Sequence, residues 1–392
     1  MKKQNVSFLI DETVLNSHVG VRKYLFSLAE ALRQEFNIRL FNVEYEPINN
    51  KPYFTEIFVD NQYVKDNGFS INNFVGKNKY EILKNLSNVF FKKNSNSESK
   101  NNIYTCSYGC SLPTDLDMVI ISAPWIIKGD LTLNAKRGIY CIAYDAIPNE
   151  YSINSPEDKG LNTFAYQHLF TYKTFLSKYD GLLAISSETA NQLKAIFPSY
   201  KSKINIIPVF LPAGFEVVAK SNAKFKKQEK VVLLASPLDL RKGLKIIPSY
   251  INNLTFDRLV IFGAPRCSFQ DITNFFNAIN TNEITWWSEV NFEKQIELFE
   301  SSSLLIFPSL NEGLGLPILE SYSCGTPAFV SNISPLKNLV SDDYVIGNNF
   351  VQICKVIQST LDLPLENEKL KLIAIDKWGS HNLVNFLTGL GN

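Results

Sequence analysis

The chain is 392 residues long, which at about 150 residues per domain predicts two sizeable domains or one large and one small. With 45% hydrophobic, 12% aromatic and 20% charged residues it has the apolar material for full cores, and its composition is not that of a disordered chain. Lys and Arg (39) balance Asp and Glu (38), so there is no bulk positive field to recruit DNA or RNA by counterion release, and nucleic acid is not expected as a partner.

Near the N-terminus the apolar run at 6–10 is shorter than the roughly 7–15 residues of a secretory h-region. No run approaches the ~18 apolar residues of a membrane span. The expectation is a cytoplasmic protein, with any membrane contact peripheral. Six scattered cysteines read as reduced thiols, several in apolar runs where a thiol behaves as a small hydrophobe. Cys106 and Cys110 form a C-x3-C, but no second Cys or His pair accompanies them at metal-ligand spacing, so no zinc site is expected.

In chain order, an apolar strand at 6–10 leads through a polar loop (11–19) into a helix. Tyr24, Leu25, Leu28, Ala29 and Leu32 recur there at helical spacing, and the pattern opens a βαβ unit. Residues 93–102 contain no apolar side chain and predict a surface excursion. Strands follow at 118–122, 138–143, 181–185 and 204–209, with helical stretches such as 188–196 between them. Residues 219–230 hold five lysines and predict a domain linker, either a solvated loop or a basic patch near the lower limit for lipid recognition. Beyond it the alternation resumes, with strands at 231–235, 258–262, 304–307 and 327–330. The pattern predicts two doubly wound α/β domains in tandem, with ligands at the carboxyl ends of the strands and in the cleft between the domains.

The most informative stretch is 304–330, LLIFPSLNEGLGLPILESYSCGTPAFV. A buried strand runs into a loop with Gly313 and Gly315, and Pro317 stands where a first helical position would be. Ile318, Leu319 and Tyr322 give the helix an apolar face, and Gly325 ends it at a C′ position. Such a helix start offers backbone N–H groups and a positive dipole end to a phosphate. Glu312 before the turn and Glu320, read in the first helical turn, form an E-x7-E pair. A carboxylate accepts two hydrogen bonds side by side and so matches a vicinal diol. The alternative is that Glu320 complements the helix dipole while Glu312 lies in solvent.

The string PSLNEGLGLPILESYSCGTP resembles the C-terminal signature of family 4 glycosyltransferases, retaining enzymes of the GT-B fold, with Leu314 for the usual Phe and Ser321 for the usual Ala. The resemblance implies two Rossmann-like doubly wound domains facing across a cleft: 1–215 for the acceptor, 216–375 for the nucleotide sugar, and a helical tail, 376–392, crossing back to the first domain. It implies that Glu320 holds the ribose diol and Glu312 the donor hexose hydroxyls. Gly313, Leu314, Gly315 and Leu316 would border the donor, and the helix start at 315–318 would supply backbone N–H donors. VVLLASPLDLRKGL resembles the opening of the nucleotide domain, with Arg241 and Lys242 as the basic residues at the pyrophosphate and Ser236 at the usual Gly. In the first half, HVGVRKYLFSLAEAL resembles a G-G-I-G-R-Y loop and helix in which Gly20 matches one glycine. IAYDAIPNEYS resembles an H-D-x-I-P-x-x-Y-P segment of mannosyl- and rhamnosyl-transferase-like members; Asp145, Ile147, Pro148 and Tyr151 match, while Tyr144 replaces the His.

The implied activity is transfer of a hexose or deoxyhexose from a nucleoside-diphosphate sugar to a saccharide or lipid-linked saccharide, in bacterial surface polysaccharide synthesis such as O-antigen or capsule. Glu312, Lys242, Arg241 and Asp145 would be the catalytic set. No cofactor beyond the donor is implied, and without a D-x-D no metal is expected. The other reading, prompted by Tyr144, is a catalytically silent GT-B subunit that binds a nucleotide or glycan within a larger synthase. Of the three histidines, His18 is placed in the first loop, His168 among packed aromatics and His381 on a surface helix. One of Trp286 and Trp287 either stacks on the nucleobase or packs in the core.

Overall fold

The computed structural model describes residues 3–12, 14, 19–48, 51–59, 75–76, 78–84, 104–110, 112, 116–128, 131–154, 159–221, 229–281, 283–288, 290–363 and 367–390. In chain order the elements are β1 (Asn5–Ile10), α1 (Val19–Leu32), β2 (Asn37–Tyr45), β3 (Pro52–Val59), β4 (Val75–Gly76), β5 (Tyr104–Cys110), β6 (Met118–Ile121) and β7 (Ile139–Ala143). Next come α2 (Ile147–Asn154), α3 (Lys159–Lys178), β8 (Gly181–Ala184), α4 (Ser187–Ile196), β9 (Ile204–Ile206), α5 (Phe215–Lys220), β10 (Val231–Ala235), α6 (Ile247–Ile251), β11 (Arg258–Phe262) and α7 (Phe269–Ala278). The chain ends with β12 (Ile284–Trp287), α8 (Phe292–Ser301), β13 (Leu304–Phe307), α9 (Leu316–Ser323), β14 (Ala328–Ser331), β15 (Val345–Ile346), α10 (Phe350–Asp362), α11 (Asn367–Trp378) and α12 (Ser380–Gly389). Two compact units result: Met1–Val64 with Ile103–Ala213 and Lys377–Asn392, and Lys65–Asn102 with Gly214–Asp376.

The first unit is built on an eight-stranded sheet in the order β5-β3-β2-β1-β6-β7-β8-β9. From β2 through β9 the pairs are parallel, and the central strands β6, β7 and β8 are wholly buried apolar runs, as a parallel sheet covered on both faces requires. Register places Leu9 beside Phe41 and Ile121, and Ile121 beside Cys141, so one buried row crosses four strands. The two antiparallel strands at the edge, β3 and β5, had no clear sequence signal. They are specified by tertiary pairing, including a two-pronged bond from Arg39 on β2 to Glu56 on β3 (2.7 Å for each nitrogen). The helix predicted at 188–196 is α4, started by Ser186, whose hydroxyl accepts from the N–H of Thr189 at 3.2 Å.

The second unit holds a seven-stranded sheet, β15-β14-β13-β10-β11-β12-β4, parallel except for β4. The division between the units falls at 213/214, beside the expected 215, but one segment within 1–215 groups with the second unit. Residues Val75 and Gly76 pair with Trp287 and Trp286, and Ile82 is fully buried in the second unit's core, so the described residues 75–76 and 78–84 belong with that unit. The physical reason is the exposed edge of β12, whose backbone donors and acceptors need a partner. The predicted excursion at 93–102 lies outside the described residues. The final helix, α12, groups with the first unit. Arg137 holds its end, one guanidinium nitrogen lying 3.1, 2.6 and 2.7 Å from the carbonyls of Leu387, Thr388 and Leu390. A cation there also complements the C-terminal end of the helix dipole.

Cys141, Cys267, Cys324 and Cys354 are free thiols, and burial raises the Cys141 pKa well above the usual value. Among the described residues no helix is long and apolar enough to cross a membrane. His168 on α3 is a packing residue: its Nδ1 meets the Asn149 side-chain oxygen at 3.1 Å, and its ring sits edge-on to Tyr172. Burial lowers its pKa from 6.5 to about 4. The unfolded chain therefore binds a proton that the folded chain refuses between those values, and stability falls as pH drops from about 6.5 to about 4. His168→Gln should remove roughly 3 kcal/mol of that acid loss, read as a flatter midpoint-against-pH curve, with little change above pH 7.

Candidate functional site

In the second sheet, β10, β11 and β12 run outward on one side while β13, β14 and β15 run outward on the other. The strand order reverses between β10 and β13, and in open α/β sheets ligands bind beyond the carboxyl ends at such a point. The two loops that leave these strands carry Arg241 and Lys242, and Ser309 to Glu312. Asp239 caps the short turn Leu240–Lys242 through the N–H of Arg241 at 2.8 Å. Gly243 then reverses the chain at φ +81°, where a Cβ would stand 2.3 Å from the carbonyl oxygen of Pro308. A glycine is required here twice over, by its left-handed backbone and by the close approach of the second loop. The N–H of Leu310 donates to the carbonyl of Arg241 at 2.8 Å and joins the loops directly.

This backbone arrangement brings three charged side chains together. Lys242 donates from Nζ to Oε1 of Glu312, and the Arg241 guanidinium lies 3.6 Å from the other carboxylate oxygen. Arg241 also donates to the carbonyl of Asn311 at 2.5 Å, and Ser309 donates its hydroxyl to Oε1 of Glu312 at 2.7 Å. The ammonium of Lys242 stands 5.1 Å from the centre of the Phe307 ring. Lys242 and Glu312 are 13% and 9% exposed, so neither is a surface charge. Burial lowers the Lys242 pKa below the usual lysine value, the Glu312 carboxylate pulls it back up, and Arg241 lowers it further. The solvated Glu312 considered above is therefore set aside.

Gly315, at φ +104°, precedes α9, and Pro317 occupies its first turn. A Cβ on Gly315 would meet Leu336 at 2.7 Å. The helix starts at Leu316, so Glu320 is its fifth residue and lies past the first turn, which corrects the sequence placement and sets aside a simple dipole role. The expected N–H donors at 315–318 also narrow, because Pro317 has none and the N–H of Ile318 already donates to Gly315 at 3.0 Å. Glu320 is 2% exposed, and its Oε2 accepts from the Gln295 amide at 2.6 Å. Gly313 and Leu316 are half-buried, and Leu314 and Gly315 are buried. Ser236 is half-buried, its carbonyl so close to Gly263 that a Cβ there would lie 2.3 Å from it. Trp286 resolves as core, fully buried with its indole N–H on the Gly263 carbonyl at 2.9 Å, whereas Trp287 is half-buried beneath Lys294.

The first unit holds the remaining candidates. The Tyr144 hydroxyl is buried with no hydrogen-bond partner, and its ring meets Tyr24 edge-on at 5.9 Å. Burial raises its pKa well above the usual phenol value, so it is no base. Asp145 accepts the N–H of Ile147 at 3.1 Å at the start of α2. Gly20 lies in the first turn of α1, not in a loop, and a Cβ there would meet nothing within 4 Å. His18 lies outside the described residues. Three groups were not singled out from sequence: Ser309, visible as the Ser of the PS pair; Gln295, whose partner is 25 residues away; and Asp11, at the end of β1. Strand order reverses between β1 and β6 as well, and there Asp11 accepts from the Trp125 indole at 3.2 Å and the N–H of Val14 at 3.1 Å. Among the described residues no group of three or more His, Cys, Asp or Glu is placed to hold a metal ion.

Gly243→Ala should cost at least about 2 kcal/mol in unfolding free energy and displace the Arg241–Lys242 turn. Denaturant titration checks the first effect; a midpoint unchanged from the parent protein would refute the close approach.

Residues 218–372 match the family Glycosyl transferases group 1. The chain is similar to the O-antigen chain mannosyltransferase B of Escherichia coli, 44% identical over 51 residues, covering 13% of each chain. It is also similar to the serotype-specific mannosyltransferase WbdA of Escherichia coli, 20% identical over 297 residues, covering 71% of this chain and 34% of that one. The chain thus spans about a third or less of the length of these relatives. Among solved structures it resembles the sucrose-phosphate synthase of Thermosynechococcus elongatus, at TM-score 0.60 and 15% identity, over 99% of this chain and 98% of that one. The fold is the GT-B fold, two α/β domains on largely parallel sheets.

Proposed function

We propose that the protein is a glycosyltransferase that moves a hexose or deoxyhexose, with retention of anomeric configuration, from a nucleoside-diphosphate sugar to a saccharide or lipid-linked saccharide in bacterial surface polysaccharide synthesis. The observation that carries this reading is the Arg241–Lys242–Glu312 cluster where strand order reverses in the second sheet. Arg241 and Lys242 place two cations side by side, with Glu312 and Asp239 as the carboxylates beside them, and a pyrophosphate can engage both cations at once. When the bond from the sugar to the leaving phosphate breaks, negative charge grows on that phosphate. Arg241 and Lys242 meet it from fixed positions, without a metal, a form of electrostatic stabilisation. As the pyrophosphate draws Lys242 toward itself, Glu312 becomes available to the donor sugar's hydroxyls. Glu320 takes the ribose diol, and Asp145, which caps α2, acts by positioning. The family match and the mannosyltransferase relatives support a hexose donor and a role in surface glycans.

A second reading rests on Tyr144, whose buried, unpartnered hydroxyl stands where resembling enzymes place a histidine. It makes the protein a silent subunit that binds nucleotide or glycan without transfer.

Thermal midpoints with UDP, GDP, dTDP and their sugars test the donor site, since ligand at about 100 times its Kd adds roughly 2.7 kcal/mol. A shift with one base is expected, and no shift with any of them would contradict the donor reading. Once a donor and acceptor pair is in hand, Glu312→Ala, Lys242→Ala and Glu320→Ala should each remove most transfer. Near-parental rates for all three would overturn the assignment, and donor turnover would dismiss the silent subunit.

A further inference from the structure

We propose that Gln295, on α8, is the positioning residue that orients the Glu320 carboxylate toward the ribose of the donor nucleotide. The inference rests on the reading of Glu320 given above. The Gln295 amide donates to Oε2 of Glu320 at 2.6 Å, and the two residues are 4% and 2% exposed. An ionised carboxylate at that depth needs donors to offset its desolvation.

The kind of partner matters. Elsewhere in the second unit, buried carboxylates are matched by cations: Glu312 by Lys242, and Glu300, also on α8, by Lys371 at 3.9 Å. A cation cancels the charge it supports. An amide holds the carboxylate oxygen it donates to and brings no charge of its own, so this bond orients the group without neutralising it for the hydroxyls of a diol. The bond also joins α8 to α9, so the carboxylate is fixed by a second helix as well as its own. A side chain held in one rotamer before the ligand arrives loses less entropy on binding.

The test compares UDP with 2′-deoxy-UDP and GDP with 2′-deoxy-GDP by isothermal titration, on the full chain and on Gln295→Met, Gln295→Glu and Glu320→Gln. The full chain should bind the matching ribonucleotide at least about tenfold more tightly than its deoxy form. Both Gln295 variants should bring that ratio to within about twofold by weakening the ribonucleotide, with deoxynucleotide affinity nearly unchanged. A ratio of two affinities on the same folded protein is insensitive to a loss of stability alone, and either variant suffices if the other does not fold. If Glu320→Gln loses the discrimination and the Gln295 variants keep it, the proposal fails while the Glu320 reading stands. If the full chain binds a nucleotide without discrimination, the Glu320 reading fails and this proposal with it. If it binds none, the donor site itself is refuted.

Discussion

The second unit depends on one electrostatic arrangement, the partly desolvated pair between Lys242 and Glu312 with Arg241 beside it. Taking both charges out of water is costly, and the pair persists because backbone geometry holds the two loops in contact before the charges meet. Gly243 permits the approach, the bond from Leu310 to Arg241 fixes it, and Ser309 supplies a further donor to the carboxylate. Lys242 sits below its usual pKa chiefly because burial penalises its charged form, with Glu312 opposing the shift and Arg241 adding to it. A further anion beside the ammonium would favour its charged form, and this links the fold of the loops to the proposed chemistry.

Around this pair the sheet provides direction. Parallel strands send the connecting loops to the same end, and strand order reverses between β10 and β13, the kind of point beyond whose carboxyl ends open α/β sheets bind ligands. The helix α9 follows from the second loop, its start set by Gly315 and Pro317 and its end by Gly325 at φ +73°. Of the two carboxylates on this stretch, Glu312 meets two cations and Glu320 accepts from a side-chain amide, although the sequence writes both as Glu.

Much of this was legible in the sequence because it is local. Strands buried on both faces read as apolar runs, so β1, β6, β7, β8, β10, β11, β13 and β14 were expected within a residue or two of where they lie. The Pro317 start and the Gly325 end of α9 were equally plain. What escaped was non-local. The edge strands β3 and β5 carry little pattern, and their pairing is set by the rest of the sheet. The excursion bearing β4 joins the second unit through an edge contact some 200 residues away in the chain. Glu320 was read in the first turn and lies just past it, because the helix begins one residue before Pro317, directly after the left-handed Gly315. The Gln295 bond has no sequence signature at all. The fate of Trp286 was undecided until its neighbours were known, since a core indole and a stacking indole are written identically.

The central claim is that Arg241, Lys242 and Glu312 form the seat of a donor diphosphate, and the most direct measurement is the affinity for nucleoside diphosphate against the matching monophosphate over a range of salt concentrations. The account predicts that the diphosphate binds at least about tenfold more tightly, with a steeper loss in salt, and that Arg241→Ala removes most of the difference. Equal affinity for the two, or a preference that survives Arg241→Ala, would contradict it.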